Sequence, residues 1–228
     1  MTEEPRISVI VPALDEAGGI GAALAALQGM RTRGHEVIVV DGGSRDRTAE
    51  IAAPLADRVI HAPRGRARQQ NAGAAAARGE VLLFLHADTV LPADADRIVL
   101  EGLARSGRGW GRFDLRLSGN GGALRLLEWT INLRSRLSGI ATGDQAIFAR
   151  REWFERAGGF PDIPLMEDVA LSTTLRRRGR PLCLHARAVT SSRRWEERGL
   201  LRTVVLMWRL RLAYALGADP SRLAERYR

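Results

Sequence analysis

The chain has 228 residues, 45% of them apolar, and a net charge of +9; this is long and apolar enough for one hydrophobic core and excludes a disordered chain. All 35 basic residues are arginine. With no lysine, a P-loop and Schiff-base chemistry are excluded, and with no nucleic-acid motif beside them the arginines read as a solvated surface, so no nucleic-acid partner is expected.

Through Ser106, short apolar runs alternate with helical patterns. Strands are predicted at 7–13 (ISVIVPA), 36–43 (EVIVVDGG), 57–63 (DRVIHAP) and 80–88 (EVLLFLHAD). Helices are predicted at 19–30, 45–56, 66–79 and 93–106. Most of the strands are near-continuous apolar runs, as expected when both faces are covered. The β-α-β-α order predicts an α/β fold with a mostly parallel sheet and right-handed crossovers. After Ser106 the rhythm changes. WGRFDLRL alternates like a half-buried strand, GNGG is a turn, and ALRLLEWTINLRSRL is an amphipathic helix. DQAIFARR predicts a short strand, REWFERAG a helix ended by Gly158, MEDVALSTTLRRRG a helix opened by acidic residues, and PLCLHARAVTSS a further strand. The tail 198–217 is helical. No linker separates the halves, so one domain is expected over 1–228: a parallel, nucleotide-type half (1–106), a mixed half (107–198) and a helical tail (199–228).

The single cysteine, Cys183, excludes an internal disulfide and a cysteine-cluster metal site. No run of about 18 apolar residues predicts a membrane span. The start MTEEPRISVIVPALDE lacks a leader pattern, so a cytoplasmic protein is expected.

Ligands bind beyond the carboxyl ends of strands in open parallel sheets, and the polar residues collect there. Asp15 and Glu16 follow strand one, Asp41-Gly42-Gly43-Ser44 strand two, and His86-Ala87-Asp88 strand four. Each carboxylate alone reads as a cap or loop residue. Together they read as one acidic floor that suits a divalent cation and, through it, a diphosphate. His86 and Asp88 are expected on one face, because strand side chains repeat every second residue. GIGAAL, with Asp41 twenty residues beyond Gly21, imitates a dinucleotide-binding fingerprint. Leu24 stands at the third glycine position, and PALDEAG separates the glycines from the strand, which argues against a dehydrogenase.

The segments ISVIVPALDEAGGI, VIVVDGGSRDRTAEIA, QNAG, VLLFLHADT and MEDVALSTTLRRRG, in that order from Ile7 toward Trp195, resemble the successive motifs of family 2 glycosyltransferases. Within the family the chain is similar to short, single-domain bacterial members with His-Ala-Asp in place of Asp-x-Asp. The resemblance implies a GT-A fold and an inverting transferase. Its donor would be a nucleotide-diphosphate sugar, UDP-linked by preference, and its cofactor a divalent metal. Pro12, Ala13, Asp15 and Glu16 would line the nucleotide pocket with Gly42, Asn71 and Ala87. Asp41 would accept a hydrogen bond from the base, and Arg64 or Arg66 would reach the base or phosphates. Asp88 would bind the metal. Glu167 and Asp168 would form the acceptor-side acidic pair, with Asp168 as catalytic base and Asp144 nearby on the acceptor side.

Three departures from the family pattern stand out. Gln70-Asn71 replaces the common Arg-Asn. His86 replaces the first acid of Asp-x-Asp, as a metal ligand, a donor to a ligand, or a strand cap; as a nitrogen ligand it would favour manganese over magnesium. SSRRWEERG resembles Gln-x-x-Arg-Trp without the glutamine, and its Trp195 would either stack on an acceptor sugar or anchor the fold. His185 reads as an ordinary strand residue. Two other readings fit parts of the pattern. A nucleotidyltransferase lacks its glycine-rich loop and catalytic lysine here, and a non-catalytic sugar-nucleotide binder has no need of both Asp88 and Asp168. In the tail, Arg198, Arg202 and Arg209 share one face, while Leu201, Val204, Met207, Trp208 and Leu212 spread over much of the rest, interrupted by Arg211. That pattern predicts a helix lying on a membrane surface or packed on its own domain. No motif specifies the acceptor, whether small molecule, glycan or lipid.

Overall fold

The computed structural model describes residues 6–227, apart from the side chains of residues 194, 197 and 198. In chain order the elements are β1 (Ile7–Ala13), α1 (Ile20–Ala25), α2 (Gln28–Thr32), β2 (Glu36–Asp41), α3 (Thr48–Ala52), β3 (Arg58–His61), α4 (Arg66–Ala76), β4 (Val81–Phe84), β5 (Thr89–Val90) and α5 (Ala95–Ser106). Then follow β6 (Trp110–Leu117), α6 (Gly122–Ser138), a 3-10 turn (Gly143–Gln145), β7 (Phe148–Arg150), α7 (Arg151–Arg156), α8 (Glu167–Arg178), β8 (Leu182–Thr190), α9 (Arg193–Arg198), α10 (Leu200–Ala215) and α11 (Pro220–Tyr227).

The strands form one eight-stranded sheet in the order β3-β2-β1-β4-β7-β6-β8-β5. β3, β2, β1 and β4 are parallel. β7 joins β4 and β6 antiparallel, β8 lies parallel to β6, and β5 runs antiparallel to β8. Every residue of β1, β2 and β4 is buried, because helices cover both faces. Odd-numbered Val9, Val11, Val37, Val39 and Leu83 pack with Leu24, Leu27, Val99 and Leu103. Even-numbered Ile10, Ile38, Val40, Leu82 and Phe84 pack with Ala74, Phe154, Phe160, Leu171 and Leu175 on the other face. α5 stops at Gly107, whose φ of 65° closes the helix in the left-handed region that glycine adopts without a Cβ penalty.

Several boundaries differ from the sequence reading. The helix expected over 19–30 is two short helices, and that over 45–56 is α3 followed by a 3-10 turn. DQAIFARR splits into the 3-10 turn and a three-residue strand. α11, which no apolar run announced, packs Leu223 against Leu165, Met166 and Leu210. The tail helix α10 packs on its own domain along one side and is exposed along the other. Leu206 and Leu210 pack on that same cluster and Val204 on Leu115 and Leu117, while Leu201, Val205, Trp208, Leu212 and Leu216 are exposed. The side chain of Arg198 lies outside the described residues. No helix among the described residues is long and apolar enough to cross a membrane.

Candidate active site

Two adjoining clefts open beyond the carboxyl ends of β1 and β4. The outer one is lined by Pro12, Ala13, Leu14, Arg64, Gln69, Ala87 and Pro164. The inner one is lined by Asp144, Asp168, Arg193, Trp195, Thr203 and Arg211, among others. Glu16, Arg66, His86, Asp88 and Tyr227 belong to both walls. Asp15 lines a third groove that also touches Glu16 and Asp88.

β4 ends at Phe84, so His86 and Asp88 are not alternate residues of a strand. They sit in a turn closed by Thr89 N–H to His86 O at 3.1 Å, and the turn brings both to the cleft. Asp88 is exposed; its Oδ1 meets the hydroxyls of Thr89 and Thr190 at 3.4 Å each. Burial and then the charge of Asp88 push the Glu16 carboxyl up, against the pull of Arg193 and His86. Two carboxylates thus crowd one end of the cleft, where a bound cation would relieve their repulsion. Among the described residues no group of three or more His, Cys, Asp or Glu surrounds a metal position. The donor set therefore fits a cation held by Asp88 with oxygens from a ligand, not a preformed cage.

His86 does not present itself as a ligand. Its Nδ1 lies 3.1 Å from Asp144 Oδ1. Its Nε2 lies against Gly143, where an added Cβ would sit 2.3 Å from it. Burial disfavours the imidazolium, but the hydrogen bond and charge of Asp144, with Asp88, outweigh burial and raise its pKa. The expected preference for manganese rested on this nitrogen, and the geometry gives that preference no support.

The acidic pair is sorted by burial. Glu167 is 3% exposed and meets Arg66 Nε at 3.0 Å. Burial raises its pKa, Asp168 adds to the rise and Arg66 opposes it. Asp168, half-buried, faces the inner cleft. Its Oδ2 accepts from Gly143 N–H at 2.8 Å and its Oδ1 from Val169 N–H at 2.7 Å. Each oxygen keeps a lone pair for a further partner.

The approach to this pair is rigid. Phe84, Phe154 and Phe160 form an aromatic cluster with centroids 4.8 to 5.7 Å apart. Asn71 clamps Phe160 at both backbone groups, donating to its carbonyl at 2.8 Å and accepting from its N–H at 2.9 Å. The chain then turns through Met166 at φ 70° into α8. Met166, Asp15 (φ 55°) and Ala146 (φ 46°) are the described non-glycine residues with positive φ. Two of them line clefts and Ala146 ends the turn carrying Asp144. Such strain costs roughly 1–3 kcal/mol per residue and gathers where a site needs a fixed backbone.

Three expected nucleotide-binding residues are placed elsewhere. The Asp41 carboxylate accepts from Gly43 N–H at 3.1 Å and from Ser44 N–H and hydroxyl, and faces His61 Nδ1 at 3.2 Å. Burial favours its neutral form, but the Ser44 and Gly43 donors outweigh that and hold its pKa low. The carboxylate expected to accept from the base is thus engaged in the turn that follows β2. Gly42 backs onto the Gln69 side chain, and Asn71 is spent on Phe160. Gln69, missed in the sequence, lines the outer cleft and donates to Ala13 and Val40 carbonyls at 2.8 Å each. Arg193, Arg211, Thr142 and Tyr227 were also missed; Arg211 left one signal, as a charge breaking an apolar helix face. Trp195 both lines the inner cleft and packs near Leu117. His185 is 87% exposed beside Asp114, away from the clefts.

A mostly parallel sheet flanked by helices, with its cleft at the strand ends, is the GT-A architecture expected of a glycosyltransferase. A model of glycosyl transferase family 2 matches residues 8–154, and the chain belongs to that family. It is 28% identical over 245 residues to the probable glycosyltransferase YdaM of Bacillus subtilis, covering 95% of this chain and 56% of YdaM, so the chain spans little more than half of that relative. Among solved structures it is similar to the mannosyltransferase PcManGT from Pyrobaculum calidifontis in complex with GDP-Man and Mn2+, with a TM-score of 0.67 and 22% identity over 99% of this chain and 70% of that one. S. aureus TarS 1-349 in complex with UDP-GlcNAc gives a TM-score of 0.67 and 19% identity over 82% of this chain and 58% of TarS.

Proposed function

We propose that the protein is an inverting glycosyltransferase that moves a sugar from a nucleotide-diphosphate donor, by preference a UDP-sugar, to an acceptor hydroxyl. The observation that carries this reading is the pair of clefts sharing one wall, with Asp88 at the junction and Asp168 inside the inner cleft. Residues 1–106 would hold the donor, 107–198 the acceptor, and the tail 199–228 would close the inner cleft through Thr203, Met207 and Arg211.

The nucleotide would lie in the outer cleft against Pro12, Ala13, Arg64 and Gln69, with its diphosphate toward Arg64, Arg66 and Asp88. A divalent cation on Asp88 would neutralise the charge that develops on the departing diphosphate. Asp168 would take the acceptor's proton as the acceptor oxygen bonds to the anomeric carbon and the bond from that carbon to the phosphate oxygen breaks. The Gly143 and Val169 N–H groups orient its carboxylate, and its free lone pairs receive the proton. Glu167 is taken up by Arg66 and braces the start of α8. His86 holds Asp144 at the acceptor side, where Trp195 offers a flat face to a sugar ring. A thermal-shift screen of UDP-, GDP- and dTDP-sugars with manganese, magnesium or chelator tests the reading, because a native-state ligand raises Tm by mass action. No stabilisation by any nucleotide sugar would sink it.

We also infer a peripheral membrane contact through α10. Leu201, Val205, Trp208, Leu212 and Leu216 form an exposed apolar stripe, and Arg202 and Arg209 beside it are exposed. An apolar stripe with flanking cations suits an anionic lipid surface. Co-sedimentation with phosphatidylserine vesicles, weakened in Trp208→Ser, is the expected result. Absence of binding at physiological salt refutes the contact.

A further inference from the structure

The inner cleft has Arg211 in its wall and Arg134 near it, and the situation of these two arginines differs from that of Arg66. Arg66 has Glu167 as its partner. Arg211, on α10, lines the cleft beside Thr203 and Met207. Arg134, on α6, lies near enough for the charge of Arg211 to repel it. The Nε of Arg211 and the Nε and Nη2 of Arg134 are buried and meet no hydrogen-bond acceptor among the described residues. Burial first, then repulsion from Arg211, pulls Arg134 down to about 10, with Asp168 acting the other way. Asp168 acts on Arg134 through its charge but hydrogen-bonds none of these three nitrogens; its oxygens are held by the Gly143 and Val169 N–H groups. Buried guanidinium donors without an acceptor are costly, and two repelling cations add to that cost.

We propose that Arg134 and Arg211 form an anion subsite that receives a phosphate or carboxylate group carried by the acceptor. The inference rests on the transferase reading and names the acceptor's chemical class. Guanidinium groups match both anions with paired N–H donors, and one bound anion would satisfy the buried nitrogens and offset the repulsion together. Placement decides between the two substrates. Arg211 belongs to the inner wall with Asp168 and not to the outer, nucleotide-side wall. The donor's diphosphate already has Arg64, Arg66 and Asp88 at the other end. An anchored anion on the acceptor would hold its hydroxyl beside Asp168, so that binding energy far from the reacting atoms sets the attack geometry.

The test uses the full chain saturated with UDP and manganese, so that the diphosphate position is occupied. Inorganic phosphate is titrated against chloride at matched ionic strength, with Tm as readout. The expected result is a phosphate-specific rise in Tm. In Arg211→Gln and Arg134→Gln the phosphate affinity should fall about tenfold or more, the loss of roughly one charge-assisted pair, while UDP affinity stays within about twofold. Arg211→Lys, which keeps the charge without the fork, should retain part of the response and guards against a folding defect in Arg134→Gln. Absence of a phosphate-specific effect, or an effect unchanged in both glutamine variants, overturns the subsite. A second arm compares UDP-glucose with UDP-glucuronate. Selective weakening of UDP-glucuronate in Arg211→Gln would assign the anion to the donor sugar and overturn the acceptor claim. If UDP itself does not bind, the transferase reading fails and the acceptor assignment falls with it, whatever phosphate does.

Discussion

The two ends of the cleft are built from different materials. The outer end rests on the carboxyl ends of β1 and β4, buried strands hydrogen-bonded to their neighbours on both sides. Its floor includes small residues such as Pro12, Ala13 and Ala87 at those strand ends. The inner end is assembled from a 3-10 turn, the first residues of α8 and one face of α10, and its charged groups come from distant parts of the chain. The carboxyl ends of buried strands supply a constant seat for a common substrate part, whereas helices and loops supply a variable one. The common part here would be the nucleotide, and the variable part the acceptor.

The largest effect is expected at the inner end. Asp168→Asn keeps the shape and can still accept the Gly143 N–H, but it cannot take a proton at neutral pH. It should lower kcat by about 10²–10⁴, the usual size of a lost general base, with UDP affinity unchanged. Turnover near the parent rate, once an acceptor is known, would move the base to Asp144 or Glu167. The outer end answers through the metal. Removing an outer partner of a bound metal typically costs about 10–100-fold in affinity, and loss of the Asp88 carboxylate should cost at least that. UDP should therefore bind more tightly with manganese or magnesium than in chelator, and Asp88→Ala should erase the difference. Equal UDP affinity in chelator and in either metal would remove the cation from the outer end.

A third change asks whether Asn71 serves the nucleotide or the fold. Asn71→Ala loses two hydrogen bonds to Phe160, which should destabilise the protein by about 1–2 kcal/mol and leave UDP affinity intact. Denaturant unfolding and a UDP titration separate the two readings. A loss of UDP affinity at full stability would return Asn71 to the nucleotide pocket.

The contrast between the ends also explains what could be read from the sequence. β1, β2 and β4 were legible because each is an apolar run covered on both faces, a signal that needs no tertiary information. Glu16, Ala87 and Asp88 followed from them as strand-end residues. Asp41 was placed at the right strand end, and the run Asp-Gly-Gly-Ser is also a turn signature whose N–H and hydroxyl donors reach its carboxylate, a contact the strand pattern did not announce. Gly143 and Ala146 were hidden because their roles arise from contacts across the fold. The first yields its Cβ space to His86 and its N–H to Asp168; the second adopts φ 46° to turn the chain into β7. Arg134 sits in an ordinary amphipathic helix pattern, and that its buried Nε and Nη2 meet no acceptor among the described residues shows only in the folded chain.

The smallest effect is expected at the amino ends of β1 and β2, the ends away from the clefts. Asp96 on α5 joins Arg33 at 2.6 Å and His35 at 3.1 Å, in a separate surface groove. Burial pushes the Asp96 carboxyl up, but the hydrogen bonds from Arg33 and the Arg97 N–H, with the charges of Arg33 and His35, bring it below its usual value. Burial holds His35 below its usual value despite Asp96. The signs agree. A depressed carboxyl contributes stability above its unfolded pKa and loses it as pH falls through the folded one. A depressed histidine favours the neutral ring, so stability also falls once the unfolded chain begins to take up that proton, below about pH 6.5. Asp96→Asn removes the first contribution and the attraction that partly restores the His35 charge. It should cost about 1 kcal/mol at pH 7, in the range of one hydrogen bond to a charged group whose partner is half in water. It should also flatten the further loss between pH 5 and the acid limit, while UDP affinity at pH 7 stays that of the parent. Urea unfolding at a series of pH values measures both. A variant with the parent's acid slope would show that this lock does not set the acid stability of the scaffold under the outer cleft.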